Sequence, residues 1–140
     1  MRTFVMIKPD GVKRGLVGEI LCRFERFGIR LAGLRIIHMG KDKAEKLYVV
    51  HKDKPFYNDL MKYITSGPVA VMALDINLPS EDAIKLVRKV VGATNPLNAE
   101  MGSIRGDYGM LVSENIIHAS DGKESADYEL PIFFNESDMI

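Results

Sequence analysis

Tryptophan and glutamine are absent from this sequence, and cysteine occurs once, at Cys22. A lone cysteine excludes an intrachain disulfide and points to a reducing compartment, so a cytoplasmic protein is expected. An excess of charge of either sign is missing as well, with 19 Lys and Arg against 19 Asp and Glu. That balance argues against a surface of bulk positive charge, and so against a membrane or an obligate nucleic-acid partner. No apolar run approaches membrane-spanning length, and Met1-Arg2-Thr3 leads into a strand without a signal-peptide core. Neither backbone cradle for phosphate, G-x-x-x-x-G-K-[ST] or G-x-G-x-x-G, occurs in the chain. If phosphates bind, side chains must carry the charge, with magnesium taking up the remainder.

What is present is enough for one domain spanning residues 1–140, since 46% of the 140 residues are hydrophobic. Thr3 to Ile7 reads as a strand, and Gly15 to Phe27 as a helix with Leu16, Val17, Ile20, Leu21, Phe24 and Phe27 at helical spacing. Ile29 to Met39 reads as a long strand in which Gly33 shifts the phase. Asp42 and Glu45 resemble a capping box opening a helix to about Val50. A second helical piece begins near Asp53 and Pro55, with Phe56, Leu60, Tyr63 and Ile64 on one face. Together these two make a hairpin or lid. Val69 to Leu74 is apolar without alternation, as in a mid-sheet strand buried on both faces. Ser80 to Val91 is a helix closed by Gly92. From Gly92 to Gly109 there is almost no periodicity, and ordered loops this long are usually functional. Tyr108 to Ser113 reads as the last strand, followed by the His118 segment and a helix ended by Pro131.

Without the lid pair, the order is strand, helix, strand, strand, helix, strand. That is an α+β, ferredoxin-like α/β sandwich with a four-stranded antiparallel sheet, plus an inserted helical hairpin and a long loop facing the phosphates. Helices should cover one face, leaving the other to the additional helices or to a partner subunit.

The densest chemistry lies between Asn115 and Glu129. Ile116 and Ile117 lead His118 out of a strand, Ser120 suits an N-cap, Asp121 places a negative charge in the first turn, and Glu129 falls near the helix end, where it can orient the ring. An imidazole aimed by a carboxylate can attack an electrophile through one nitrogen while the other keeps its partner. Lys8 closes the first strand before the Pro9-Asp10-Gly11 turn, Arg88 lies on a helix, and Arg105 lies in the Gly-rich loop; these are the cations available for an anion. His38 and His51 read as surface or strand-end residues, and the histidine spacings match no familiar metal set.

The segment Asn115-Ile116-Ile117-His118-Ala119-Ser120-Asp121-Gly122-Lys123-Glu124-Ser125-Ala126 resembles the active-site signature of the nucleoside diphosphate kinases. Thr3 to Val12 is similar to that family's opening, Tyr63 to Val69 contains its Ser-Gly-Pro-Val turn, and Gly92 to Gly106 resembles its Thr-Asn-Pro to Ile-Arg-Gly-Asp loop. Several motifs in the right order are far more specific than one. The resemblance implies ping-pong transfer of a γ-phosphoryl group through His118, with Lys8, Tyr48, Asn115, Ser120 and Glu129 as the other catalytic residues. It implies nucleotide binding by Lys8, Phe56, Leu60, Arg88, Thr94, Arg105, Val112 and Asn115. Mg2+ would be held mainly by nucleotide phosphates and water, with no protein metal ligand. A homo-oligomer built from dimers is implied, the hexamer favoured over the tetramer. The competing class is a non-catalytic, ferredoxin-like nucleotide- or RNA-binding regulatory module. The strands lack the aromatic cluster that such RNA binders use, and Lys8, His118 and Glu129 are all present.

Overall fold

The computed structural model describes all residues from Met1 to Ile140. Its frame is β1 (Arg2–Ile7), β2 (Arg30–His38), β3 (Pro68–Asp75) and β4 (Ile117–Ala119), ordered β2-β3-β1-β4 with every pair antiparallel. Strands β1 and β3 are central, and their runs Thr3–Ile7 and Val69–Leu74 are fully buried. This is the expectation for strands apolar on both faces.

Alternate residues of these strands feed two cores. Val5, Ile7, Met72 and Leu74 face α2 (Val17–Arg26) and α5 (Ser80–Val91), meeting Ile20, Phe24, Val87 and Val91. Phe4, Met6, Val71 and Ala73 face α3 (Lys41–Leu47), α4 (Tyr57–Ile64) and α7 (Lys123–Phe133), meeting Leu47, Ile64, Leu130 and Phe133. The expected ferredoxin-like order is therefore present, and the second sheet face is covered by the inserted pair α3 and α4 together with α7. The phase shift expected at Gly33 is present as a register break between Leu31 and Gly33. A Cβ at Gly33 would stand 2.9 Å from the Phe134 ring, so a side chain there would displace the end of the chain from the sheet.

Several boundaries differ from the sequence expectation. Pro9-Asp10-Gly11 is the first turn of a short helix α1 (Pro9–Lys13) rather than a loop turn, with proline at the helix start. Helix α3 begins at Lys41 after Gly40, with no side-chain cap, so Asp42 lies inside its first turn. The expected strand Tyr108–Ser113 does not exist. Tyr108 ends helix α6 (Ile104–Tyr108), and Met110, Leu111 and Val112 are exposed in an irregular segment. An apolar run signals a strand only where something buries it, and nothing in this chain does. The fourth strand is instead Ile117–Ala119, which places His118 within the sheet, opposite Met6. Helix α7 runs through Pro131 to Phe133 instead of stopping there. Its last turn is held by Phe133, stacked on Phe4 at 4.8 Å, and by the Phe134 N–H, which bonds the Leu130 carbonyl at 3.0 Å. Tertiary packing outweighs the one helical bond that proline removes.

Candidate active site

Strand β4 presents His118 at the sheet edge, half-buried, with its ring 5.8 Å from Phe4 and edge-on to Tyr48 at 5.6 Å. Helix α7 returns Glu129 beneath it, and Glu129 Oε1 lies 3.1 Å from His118 Nε2. The other carboxylate oxygen accepts the Ser120 hydroxyl, which is itself buried. Ser120 is therefore not the N-cap of α7. Gly122 occupies that position, and its N–H is bonded by Ser125 Oγ at 3.0 Å. Asp121 likewise precedes the helix and accepts from Ser125 Oγ at 2.7 Å. A carboxylate only accepts, so Nε2 carries the hydrogen and Nδ1 keeps its lone pair.

Lys8 ends β1 and Asn115 precedes β4, and the two meet: Lys8 Nζ donates to Asn115 Oδ1 at 2.8 Å. The Asn115 amide in turn donates to the Thr94 carbonyl at 2.9 Å, drawing in the loop after α5. Burial, reinforced by the nearby Arg105 charge and opposed by Asp10, lowers the Lys8 ammonium to a pKa of about 8. Arg105 is 7% exposed, and its hydrogen bonds go to carbonyls and not to a carboxylate. Its Nε, Nη1 and Nη2 donate to the carbonyls of Asn115 at 3.2 Å, Gly92 at 3.1 Å and Ile117. Burial, and then Arg88, lower its pKa to about 10. Ser103 caps α6 by accepting from the Gly106 N–H at 3.0 Å, so Arg105 projects from a helix and not from a loop.

These groups open onto one cavity of about 970 Å3. Lys8, Arg88, Thr94, Arg105, Asn115 and His118 line one part of it. Tyr48, Phe56, Leu60 and Val112 line the rest, while Ser120 and Glu129 stand behind His118 and outside it. Ten of the twelve residues singled out in the sequence thus share one cavity, and the other two support its histidine. Phe56 is 48% exposed and Val112 58%, an aromatic and an aliphatic surface left uncovered at the mouth of a polar site. The Tyr48 hydroxyl is buried without a partner, and burial, then Glu129, push its pKa well above the usual phenol.

The structure adds residues that sequence reasoning missed. His51, expected at the surface, lines the cavity between Tyr48 and Phe56, with ring centroids at 6.1 and 5.4 Å. Burial, then the charges of Lys54, His118 and Lys8, lower its pKa. Asp59, Tyr63, Glu114 and Asp121 also line the cavity. The sequence placed Tyr63 on the lid face and Asp121 at a helix start but gave no sign that either lines a cavity, because their approach depends on how α4 and the irregular loop fold over the sheet. The carboxylates of Asp59, Glu114 and Asp121 are exposed, whereas Lys8 and Arg105 are buried, so the cavity is positive at depth. No group of three or more His, Cys, Asp or Glu residues is arranged to hold a metal ion.

Fold and site together define a class: an α+β sandwich whose carboxylate-tethered histidine faces a cavity lined by buried cationic side chains. Residues 1–139 match the family model described as nucleoside diphosphate kinase. The chain is 50% identical over 138 residues to the nucleoside diphosphate kinase of Saccharolobus solfataricus, covering 99% of this chain and 97% of that one. It is 53% identical over 138 residues to the Methanosphaera stadtmanae nucleoside diphosphate kinase, covering 99% and 88%. Among solved structures, a Babesia bovis protein of the nucleoside diphosphate kinase family superposes with a TM-score of 0.93 at 43% identity, covering 99% and 91%. The Halobacterium salinarum nucleoside diphosphate kinase in complex with CDP gives 0.93 at 40% identity, covering 100% and 91%. The chain belongs to the nucleoside diphosphate kinase family.

The three carbonyl bonds of Arg105 make it a brace as well as a charge. Arg105→Met should lower unfolding stability by about 1.5–3 kcal/mol, the scale of hydrogen bonds to a charged group. Urea denaturation checks this, and an unchanged midpoint and slope would show that the bonds do not hold the loop.

Proposed function

We propose that this protein transfers the γ-phosphoryl group of a nucleoside triphosphate, typically ATP, to His118 and then to a nucleoside diphosphate, maintaining cellular NTP and dNTP pools. One observation carries the reading. The His118 ring is tethered through Nε2 to a buried carboxylate, and the same ring opens onto a cavity holding two buried cations. In the first half-reaction the Nδ1 lone pair attacks the γ-phosphorus. The bond from phosphorus to the bridging β-γ oxygen breaks, and the nucleoside diphosphate leaves. The Glu129 carboxylate stabilises the positive charge that grows on the imidazole, much as a triad carboxylate does. The second half reverses these steps with another nucleoside diphosphate, so one site serves donor and acceptor in turn.

Phosphoryl transfer depends on positioning and on neutralising charge over the phosphate oxygens. Lys8, Arg88 and Arg105 supply positive charge, and Thr94 and the unpartnered Tyr48 hydroxyl supply donors. Asn115, oriented by Lys8 and Thr94, suits the ribose 3′-hydroxyl. A base between Phe56 and Val112, with Leu60 beside it, would be gripped by its faces. Faces carry no donor or acceptor code, so broad base tolerance follows. A divalent metal accompanies phosphates in kinase sites. Here that metal would be Mg2+, held mainly by the nucleotide phosphates and water, where it would neutralise oxygen charge.

Residues 1–140 act as one domain in this reading, and no helix is long and apolar enough to cross a membrane. The single cysteine supports a cytoplasmic setting, and the balanced charge supports the lack of an obligate nucleic-acid partner. Exposed Leu34 and Ile36 on edge strand β2, and Met101, Met110 and Leu111 outside the sheet, support a homo-oligomer built from dimers. We favour a hexamer over a tetramer.

Two measurements follow. With magnesium and γ-labelled ATP, the wild type should take up one acid-labile phosphoryl group per chain and deliver it to GDP, while His118→Ala takes up none. Equal labelling of both proteins, or of neither, would overturn the histidine route in favour of a binding module. The second concerns Lys8. Its pKa is lowered in the empty cavity, so its charge is lost as pH rises through about 8. A bound phosphate favours the ammonium, hence ADP binding above that pH should take up protons and weaken as pH rises. Calorimetry in buffers of differing ionisation enthalpy should detect the uptake in the wild type and lose it in Lys8→Met.

A further inference from the structure

Ile116 has φ of 75°, the one non-glycine residue of the chain in the left-handed region. The Ile117 N–H donates to the Asn115 carbonyl at 2.8 Å, a bond from i to i+2 that closes a γ-turn. A positive φ at its centre is the strained hand of that turn, and a β-branched residue suits it least. Glycine would take this backbone without strain, yet the position is held by a fully buried isoleucine. The chain makes room for it at Gly11, where a Cβ would stand 3.0 Å from Ile116 Cγ2 and 3.1 Å from its carbonyl oxygen.

So disfavoured a backbone persists only where neighbours over-determine it. Three side chains or backbone groups do so. The Lys8 N–H donates to the Ile116 carbonyl at 2.7 Å, and Arg105 Nε holds the Asn115 carbonyl. The third is Asp10, whose Oδ2 accepts the Ile116 N–H at 3.1 Å. Asp10 does not line the cavity, and the chemistry above gives it no role. Its other oxygen, Oδ1, accepts the hydroxyl of Tyr63. Tyr63 lies on α4, one turn beyond Leu60 and in the helix that follows Phe56. One carboxylate therefore grips the turn between Asn115 and His118 with one oxygen and the lid helix with the other.

We propose that Asp10 and Tyr63 form a positioning pair that couples the lid helix to the strained turn, so that the seating of the lid and the aim of His118 are set together. The inference rests on the reading of His118 as the phosphoryl acceptor. Without Asp10, the buried Ile116 N–H loses its acceptor and the peptide relaxes towards negative φ. That rotation carries the Asn115 carbonyl and the start of β4 with it. Neither residue touches the reacting atoms. Their effect reaches the rate through orientation, to which an attack of this kind is sensitive.

The test is single-turnover labelling of His118 by γ-labelled ATP at saturating nucleotide with magnesium, alongside ADP affinity by calorimetry. Asp10→Ala should slow labelling by about ten- to hundred-fold while ADP affinity changes by less than about threefold, because misplacement acts on the chemical step. Asp10→Asn should recover labelling to within about threefold, since its amide oxygen accepts the Ile116 N–H and its NH2 reaches the tyrosine oxygen. Tyr63→Phe should fall between these, because it keeps the Asp10 bond to the turn and removes only the bond that ties Asp10 to α4. A folded Asp10→Ala protein that labels at the wild-type rate overturns the proposal, as does one that loses only affinity or thermal stability. If Asp10→Ala does not fold, Tyr63→Phe decides: slowed labelling at unchanged affinity supports the coupling, and a wild-type rate overturns it. A wild type that takes no label overturns the histidine-transfer reading itself, whereas a labelled wild type with equally fast variants overturns this coupling alone.

Discussion

The hydrogen bond between Glu129 and His118 Nε2 is the constraint on which the site depends, because it decides what the histidine can do. A free imidazole can protonate, rotate or bond through either nitrogen. This one has a carboxylate on Nε2, an aromatic edge from Tyr48 and the Phe4 ring beside it, so rotation is closed off and Nδ1 is the open position. Glu129 is itself fixed by Ser120, and both are buried against the sheet. The fold makes this possible through the short strand β4 and the return of α7. The helix must complete nearly two turns before Glu129 lies beneath the strand, and the stacking of Phe133 on Phe4 anchors its far end.

The same core explains the cations. Lys8 and Arg105 are buried without a carboxylate bonded to either charge, an arrangement that destabilises a folded protein unless hydrogen bonds or an anion compensate. Asn115 and three carbonyls compensate in part, and the lowered pKa values of both groups record what remains uncompensated. A cavity in this condition favours anions strongly and has little use for a preformed backbone cradle. The strain at Ile116 belongs to the same trade, since stability is given up locally to hold groups where chemistry needs them.

Much of this was legible in the chain. Buried strands announced themselves as unbroken apolar runs at Thr3–Ile7 and Val69–Leu74, and α5 as a helical stripe ended by Gly92. The histidine and its carboxylate could be paired because eleven positions along a strand and helix bring them back together. The failures share one cause, that local pattern does not know what will cover it. Met110-Leu111-Val112 looked like a strand because it is apolar, yet it lies exposed. Pro131 looked like a helix stop, yet two buried phenylalanines carry the helix past it. Ser120 looked like a cap, and its hydroxyl went instead to Glu129. The place of His51 in the cavity and the bond between Tyr63 and Asp10 gave no signal, since both arise from where the lid helix and the β4 turn meet.

The central claim is that Glu129 reserves Nε2 and leaves Nδ1 to react. It is tested most directly by nuclear magnetic resonance on protein with nitrogen-15 in its histidines, phosphorylated by ATP and kept at alkaline pH. Phosphorus coupling should appear on the δ1 nitrogen of one histidine, His118, with the ε2 nitrogen still carrying its hydrogen. Coupling to the ε2 nitrogen would contradict the account, because the phosphoryl group would then occupy the position assigned to Glu129.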